Sequence, residues 1–214
     1  MEITPEGTIV SSLLDGPKTY GELKSATQLS HRWLSKKLEE LCQSQITERR
    51  GDRYALVRPS ETAEADPLFM PIVRNRSLPE TKARLIAEEL SRDDRVMAVI
   101  LFGSLAKGQT TPESDIDLLV VSEVEIEEEL NDLVYHLMFK YDVPVETVFM
   151  TFDGLLANLQ AETAFSFGLL EGYRILYDRD GLEGLLSIKR RQMFRDWARD
   201  EETGAWIRKK LTLT

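Results

Sequence analysis

Apolar residues recur at helical spacing through the first part of the chain. Ile9, Val10, Leu13 and Leu14 share one face of a helix that Thr4 can cap and that Pro5 can open, with Asp15-Gly16-Pro17 as its stop. Thr19 and Glu22 have capping-box spacing for a short second helix with Leu23 and Ala26 on its apolar side, and Thr27-Gln28-Leu29 is the turn after it. Ser30 can cap a third helix, from His31 to Cys42, whose Leu34, Leu38 and Leu41 face inward. Two short runs, Gln45 to Arg49 and Arg53 to Val57, flank Arg50-Gly51-Asp52 and predict a hairpin.

The pattern then breaks and changes period. Residues 59–79 hold four of the eight prolines, Pro59, Pro67, Pro71 and Pro79, and read as a linker, with Phe69, Met70, Ile72 and Val73 docking it onto a domain. Beyond it helix and strand alternate. Glu80 to Arg92 is predicted helical, and Val96 to Phe102 is an apolar run expected of a strand covered on both faces. Ile116 to Val121 and Val145 to Met150 are further strands, separated by a helix marked by Ile126, Leu130, Leu133 and Leu137. From Asp153 onward the chain reads as mostly helical, with one short strand at Arg174 to Tyr177. The prediction is an α+β protein in three parts: 1–58, the 59–79 linker, and 80–214.

Charge sharpens that division. The net charge of −10 is uneven: residues 1–58 sit near +1 and the remainder near −11. A field this negative repels nucleic acid unless a local basic face overrides it. No stretch approaches the roughly 18 apolar residues of a membrane span, and the start, Met-Glu-Ile-Thr-Pro-Glu, lacks the order of a secretion signal. The single Cys42 leaves no internal disulfide, and one Cys with two His suggests no zinc cluster. A cytoplasmic location without membrane partners is therefore expected.

The chemistry concentrates in LFGSLAKGQTTPESDIDLLVV, residues 101–121. Gly103 at the end of a buried strand lets the backbone turn sharply and approach a ligand. If Ser104 opens a short helix through Ala106, its backbone N–H groups and hydroxyl suit the phosphates of a nucleotide. Lys107 stands one turn on and can add a point charge. Asp115 and Asp117, one residue apart on a strand, project from the same face and repel each other unless a cation intervenes. Such oxygen ligands suit Mg²⁺ or Mn²⁺. Glu146, on the next strand among apolar neighbours, is the candidate third acid, because a lone carboxylate there would be costly without a role.

Gly103-Ser104, the spacer and Asp115-x-Asp117 together resemble the signature of the DNA polymerase β-like nucleotidyltransferase superfamily, in its minimal prokaryotic branch. The resemblance covers about residues 80–150. It implies an α/β palm with a mixed sheet, an NTP donor, and transfer of NMP to a hydroxyl of a small molecule, nucleic acid or protein. The segment Glu171 to Tyr177, EGYRILY, is similar to one often found after the palm. Lys107 stands where many relatives have Arg, and Glu146 where most have Asp.

Residues 1–58 resemble the winged helix-turn-helix of prokaryotic transcriptional regulators, with SHRWLSKKLEEL as recognition helix and ITERRGDRYALV as wing. That resemblance implies DNA contacts by Arg32, Lys36 and Lys37 and by Arg49, Arg50 and Arg53 in the wing, with a homodimer as the common state. Such a domain can also dock a protein. His31 and His136 read as polar surface residues, and Trp197 and Trp206 as core. Arg191, Arg195 and Arg199 read as a solvated helix face. The expected function is metal-dependent nucleotidyl transfer, and the alternative is a DNA-binding regulator whose palm senses nucleotide or is inactive.

Overall fold

The computed structural model describes residues 4–65, 69, 79–109, 115–200 and 203–209. The chain forms two compact units, Met1–Glu89 with Leu137–Val143, and Leu90–His136 with Pro144–Thr214.

In the first unit, helix α1 (Pro5–Leu14) begins where the Thr4 hydroxyl accepts the Gly7 N–H at 3.1 Å. Strand β1 (Lys18–Thr19) runs straight into α2 (Tyr20–Thr27). The capping box of α2 is complete: the Glu22 carboxylate accepts the Thr19 N–H at 2.7 Å and the Thr19 hydroxyl accepts the Glu22 N–H at 3.3 Å. Helix α3 (His31–Gln43) follows, with Ser30 at its cap, and then the hairpin of β2 (Thr47–Arg50) and β3 (Arg53–Leu56). The antiparallel sheet has the order β1-β3-β2. Ile9, Leu13, Leu14, Leu23, Leu34 and Leu38 are buried, as their spacing requires.

Part of the segment read as linker is helical: α4 spans Pro59–Ala65. Pro59 occupies its first position, where its missing N–H would have had no partner anyway, so the residue that suggested a break starts a helix. The Glu88 carboxylate accepts from the Ser60 N–H and hydroxyl at 3.0 and 2.8 Å. Glu88 lies on α5 (Pro79–Leu90). The docking expected of Met70, Ile72 and Val73 lies outside the described residues.

The second unit is built on a mixed sheet of β4 (Val96–Phe102), β5 (Ile116–Ser122), β6 (Val145–Thr151) and β7 (Arg174–Asp178), in the order β6-β5-β4-β7. β4 lies antiparallel to both β5 and β7, whereas β5 and β6 are parallel. A parallel pair needs a long crossover, and here it contains the helix Glu127–Tyr141. Ala98, Ile100, Leu119 and Val121 form one side of the core, joined by Leu155, Leu159, Phe167, Leu170, Leu186 and Met193 from the later helices. Val99, Leu101, Leu118 and Val120 are also buried, which explains why these strands read as unbroken apolar runs.

The C-terminal part is not wholly helical. After the helix Leu182–Asp196, strands Trp197–Arg199 and Trp206–Arg208 pair antiparallel. Three residues a side are too few to show alternation, so periodicity missed them. Phe167 stacks on Trp206 at 5.3 Å and meets Trp197 edge-on at 5.1 Å, so both half-buried tryptophans pack against this core. Arg199 lies on a strand, so the arginine stripe stops at Arg195. No helix of the described residues is long and apolar enough to cross a membrane.

Leu119 is wholly buried in the central strand. Leu119→Ala is expected to cost about 2–5 kcal/mol through lost contact and a residual cavity, read as a lowered urea midpoint with unchanged slope.

Candidate active site

Strand β4 ends at Phe102, and the chain turns at once into a single helical turn, Gly103–Ala106. Gly103 has φ +69°, a left-handed conformation that disfavours any side chain. A Cβ at Gly103 would lie 1.9 Å from Asp117 Oδ2 and 2.7 Å from its Cγ. The glycine is therefore required twice, by its backbone angle and by the carboxylate lying on it.

Pairing explains how Asp117 arrives there. Asp117 stands opposite Phe102 across the β4–β5 pair, so its side chain meets the turn that leaves Phe102. Across the parallel β5–β6 pair it stands beside Glu146. Asp115 immediately precedes β5 and, by strand alternation, shares the side of Asp117. Burial raises the pKa of Asp117, and the negative charges of Glu146 and Asp115 raise it further, against the Ser104 backbone N–H bonded to it. The three predicted acids and the Gly103-Ser104 turn thus lie together.

The environment of Glu146 differs from expectation. It is exposed, because β6 is an outer strand of the sheet, so burial cost does not explain a carboxylate there. Its register beside Asp117 does single it out. Lys107 is not an isolated cation: its ammonium pairs with Glu171, which also pairs with Arg199. Burial alone would raise the Glu171 carboxyl, but the bonds from Lys107 and Arg199 hold it below the usual range. Glu171, Arg174 and Arg199 were missed as site residues because their approach depends on β4–β7 pairing and on the terminal hairpin. The only signal for Glu171 and Arg174 was the EGYRILY segment itself. Residues 110–114 of the spacer lie outside the described residues.

A hard divalent cation fits this donor set, since three carboxylates with mutually unfavourable charges are the chemistry such an ion relieves. Among the described residues no three His, Cys, Asp or Glu side chains converge closely enough to hold a metal ion as they stand. Asp115 and Glu146 are exposed.

The predicted DNA-contacting residues are placed differently. Arg32 is exposed on α3. Lys36 pairs with Glu40 at 3.8 Å, and Lys37 with Glu6 and Glu40 at 2.6 and 2.7 Å. Arg50 pairs with Glu48, and Arg53 with Glu22 at 3.5 Å. Arg49 is bonded to the Gly51 carbonyl at 3.0 Å. His31 and His136 are both exposed, as expected.

Comparison with known proteins agrees with this geometry. Residues 83–162 match the family described as nucleotidyltransferase domain. Two proteins of Methanocaldococcus jannaschii, each provisionally named a protein adenylyltransferase, are similar to this chain. One is 37% identical over 83 residues, which are 39% of this chain and 80% of the relative. The chain belongs to the nucleotidyltransferase family. The other relative of this nucleotidyltransferase is 31% identical over 93 residues, 41% of this chain and 62% of its own length. A solved structure of a toxin-antitoxin with AMP-PNP shares 20% identity over 53% of this chain and 86% of its own, with a TM-score of 0.37, a likeness too low to bear on the fold.

Two outcomes follow from the turn. Gly103→Ala is expected to destabilise the protein by more than about 1 kcal/mol, the usual cost of forcing a side chain into this conformation, and calorimetry would show it. The second concerns pH. A carboxyl with a raised folded-state pKa disfavours the fold once ionised, and that cost fades as pH falls through its titration. Asp117→Asn should therefore raise Tm near neutral pH, with a gain that shrinks toward acid pH in thermal melts. A gain that grew on acidification would contradict the raised pKa.

Proposed function

We propose that this nucleotidyltransferase moves a nucleoside monophosphate, AMP by analogy with its named relatives, from an NTP onto a hydroxyl of a protein. The observation that carries this reading is Asp117 seated on the Gly103-Ser104 turn with Glu146 in register beside it. In the reaction the acceptor oxygen bonds to the α-phosphorus while the bond from that phosphorus to the bridging oxygen breaks, and pyrophosphate leaves. The acceptor proton passes to a carboxylate of the site. Gly103 and Ser104 give the triphosphate a close backbone approach, and Lys107 supplies positive charge at the edge of the turn. Asp115, Asp117 and Glu146 would hold Mg²⁺ or Mn²⁺, which when bound supplies Lewis-acid activation and charge neutralisation.

The regulator alternative has less behind it. Four of its five principal DNA-contacting residues, Lys36, Lys37, Arg50 and Arg53, are bonded to carboxylates. Exposed pairs of this kind are weak, about 0–1 kcal/mol, and phosphate could displace them, but the near-neutral unit fits protein docking at least as well. We place the protein in the cytoplasm, and the resemblance to winged helices supports a homodimer.

The deciding experiment incubates the protein and Mg²⁺ with cell lysate and each of the four α-labelled NTPs. Label should enter a protein from ATP, with pyrophosphate released. Asp117→Ala should reduce transfer by about a thousandfold or more, the worth of several kcal/mol of charge stabilisation. Transfer that survives in Asp117→Ala, or is absent with all four nucleotides, would overturn the proposal.

A further inference from the structure

The Gly103–Ala106 turn is too short to hold its own shape. One helical turn fixes several backbone angles for very few hydrogen bonds, and its closing bond, from the Lys107 N–H to the Gly103 carbonyl, is 3.3 Å long. Outside support is therefore needed if the turn is to present one conformation to a ligand. Asp117 bears on it from one direction, and Leu105 is wholly buried beneath it.

The Gly108 and Gln109 N–H groups close on the Leu105 and Ser104 carbonyls at 3.2 and 3.0 Å, and further support comes from Glu171 to Arg174. Strand β7 pairs with β4 so that Arg174 stands opposite Leu101, just before the turn begins. The Arg174 guanidinium donates to the Leu105 carbonyl at 2.8 Å and to the Ala106 carbonyl at 3.3 Å. Those carbonyls are at the C-terminal end of the turn, where intrahelical donors run out and a cation is favoured. Two residues before Arg174, Gly172 lies so close to Lys107 that a Cβ would come within 2.7 Å of its Cγ. Glu171 holds the Lys107 ammonium, and Arg199 holds Glu171 from the terminal hairpin. Three neighbouring residues thus grip the carbonyls, stem and head of one short turn.

We infer that Arg174 and Glu171 are positioning residues of the nucleotide site, which set NTP affinity by preorganising the turn and Lys107. This inference rests on the nucleotidyl-transfer reading and adds residues to it. Neither residue need touch the reacting atoms. A brace of this kind acts on binding more than on chemistry, because it removes ordering that the ligand would otherwise have to impose. A pair that only fastened β7 to the sheet would lower thermal stability without selecting nucleotide binding.

The test uses the full chain in six forms: wild type, Arg174→Gln, Arg174→Lys, Glu171→Gln, and Lys107→Met with and without Glu171→Gln. The readouts are the Kd of a non-hydrolysable ATP analogue with Mg²⁺ by calorimetry, KM and kcat for transfer, and Tm. Arg174→Gln is expected to raise Kd and KM about tenfold, the effect of losing one or two charge-assisted bonds, with kcat changed less than about twofold. Arg174→Lys, which keeps the charge but not the two-pronged geometry, should fall between. Glu171→Gln should weaken binding in the wild-type background and change nothing further in Lys107→Met, because it acts through that lysine. Unchanged affinity in both Arg174→Gln and Glu171→Gln would overturn the inference alone. So would an equal effect of Glu171→Gln in the two Lys107 backgrounds. If Arg174→Gln fails to fold, Arg174→Lys and the Glu171 cycle still decide. A wild type that binds no analogue would overturn the nucleotidyl-transfer reading, and the brace with it.

Discussion

The second unit depends on one steric fact: the carboxylate of Asp117 occupies the space where any residue but glycine at 103 would carry its side chain. That contact joins the end of one strand to the start of the next and fixes where negative charge meets backbone N–H. From it follows the sharp exit of β4, and the register of the next strand places Glu146 beside the same carboxylate. The fold supplies this contact through sheet pairing alone, so the site is as well defined as the sheet that carries it.

An electrostatic tension accompanies it. Glu146 and Asp115 bring further negative charge toward an acid that burial already disfavours as an anion. Proteins tolerate such arrangements where chemistry needs them. Around the turn the charges balance differently: Lys107, Glu171 and Arg199 alternate in sign and settle one another. The site has an unrelieved acidic side and a neutralised basic side, the asymmetry expected where cations arrive with the ligand.

Much of this was legible in the chain. The capping box at Thr19 and Glu22, the inward leucines of α3, and the apolar strands around 96–102 and 116–121 each have a local cause that a short window reveals. Gly103, Ser104, Asp115 and Asp117 were legible as well, because glycine at a strand end and acids at a spacing of two have few other reasons to coincide. Pro59 was ambiguous, since proline marks both breaks and first turns. The hairpin at 197–208 was too short to announce itself. Glu146 stood out in the sequence for a reason that failed, its supposed burial, while the register that places it beside Asp117 is not written locally. Arg174 and Glu171 carried only the resemblance of EGYRILY to a segment found after the palm, and nothing near them in sequence names the turn they hold.

The parallel pairing of β5 and β6 has a consequence for the order in which the protein assembles. β4 and β5 are separated by residues 103–115, a shorter stretch than the 123–144 between β5 and β6, and can zip earlier, bringing Asp117 onto Gly103. β6 must wait until the intervening helix, Glu127–Tyr141, has formed and carried the chain back along the sheet, and contacts of greater sequence separation form more slowly. A folding chain would therefore hold Asp117 against the turn before Glu146 reaches its register, and the full set of acids would be complete only when the sheet is.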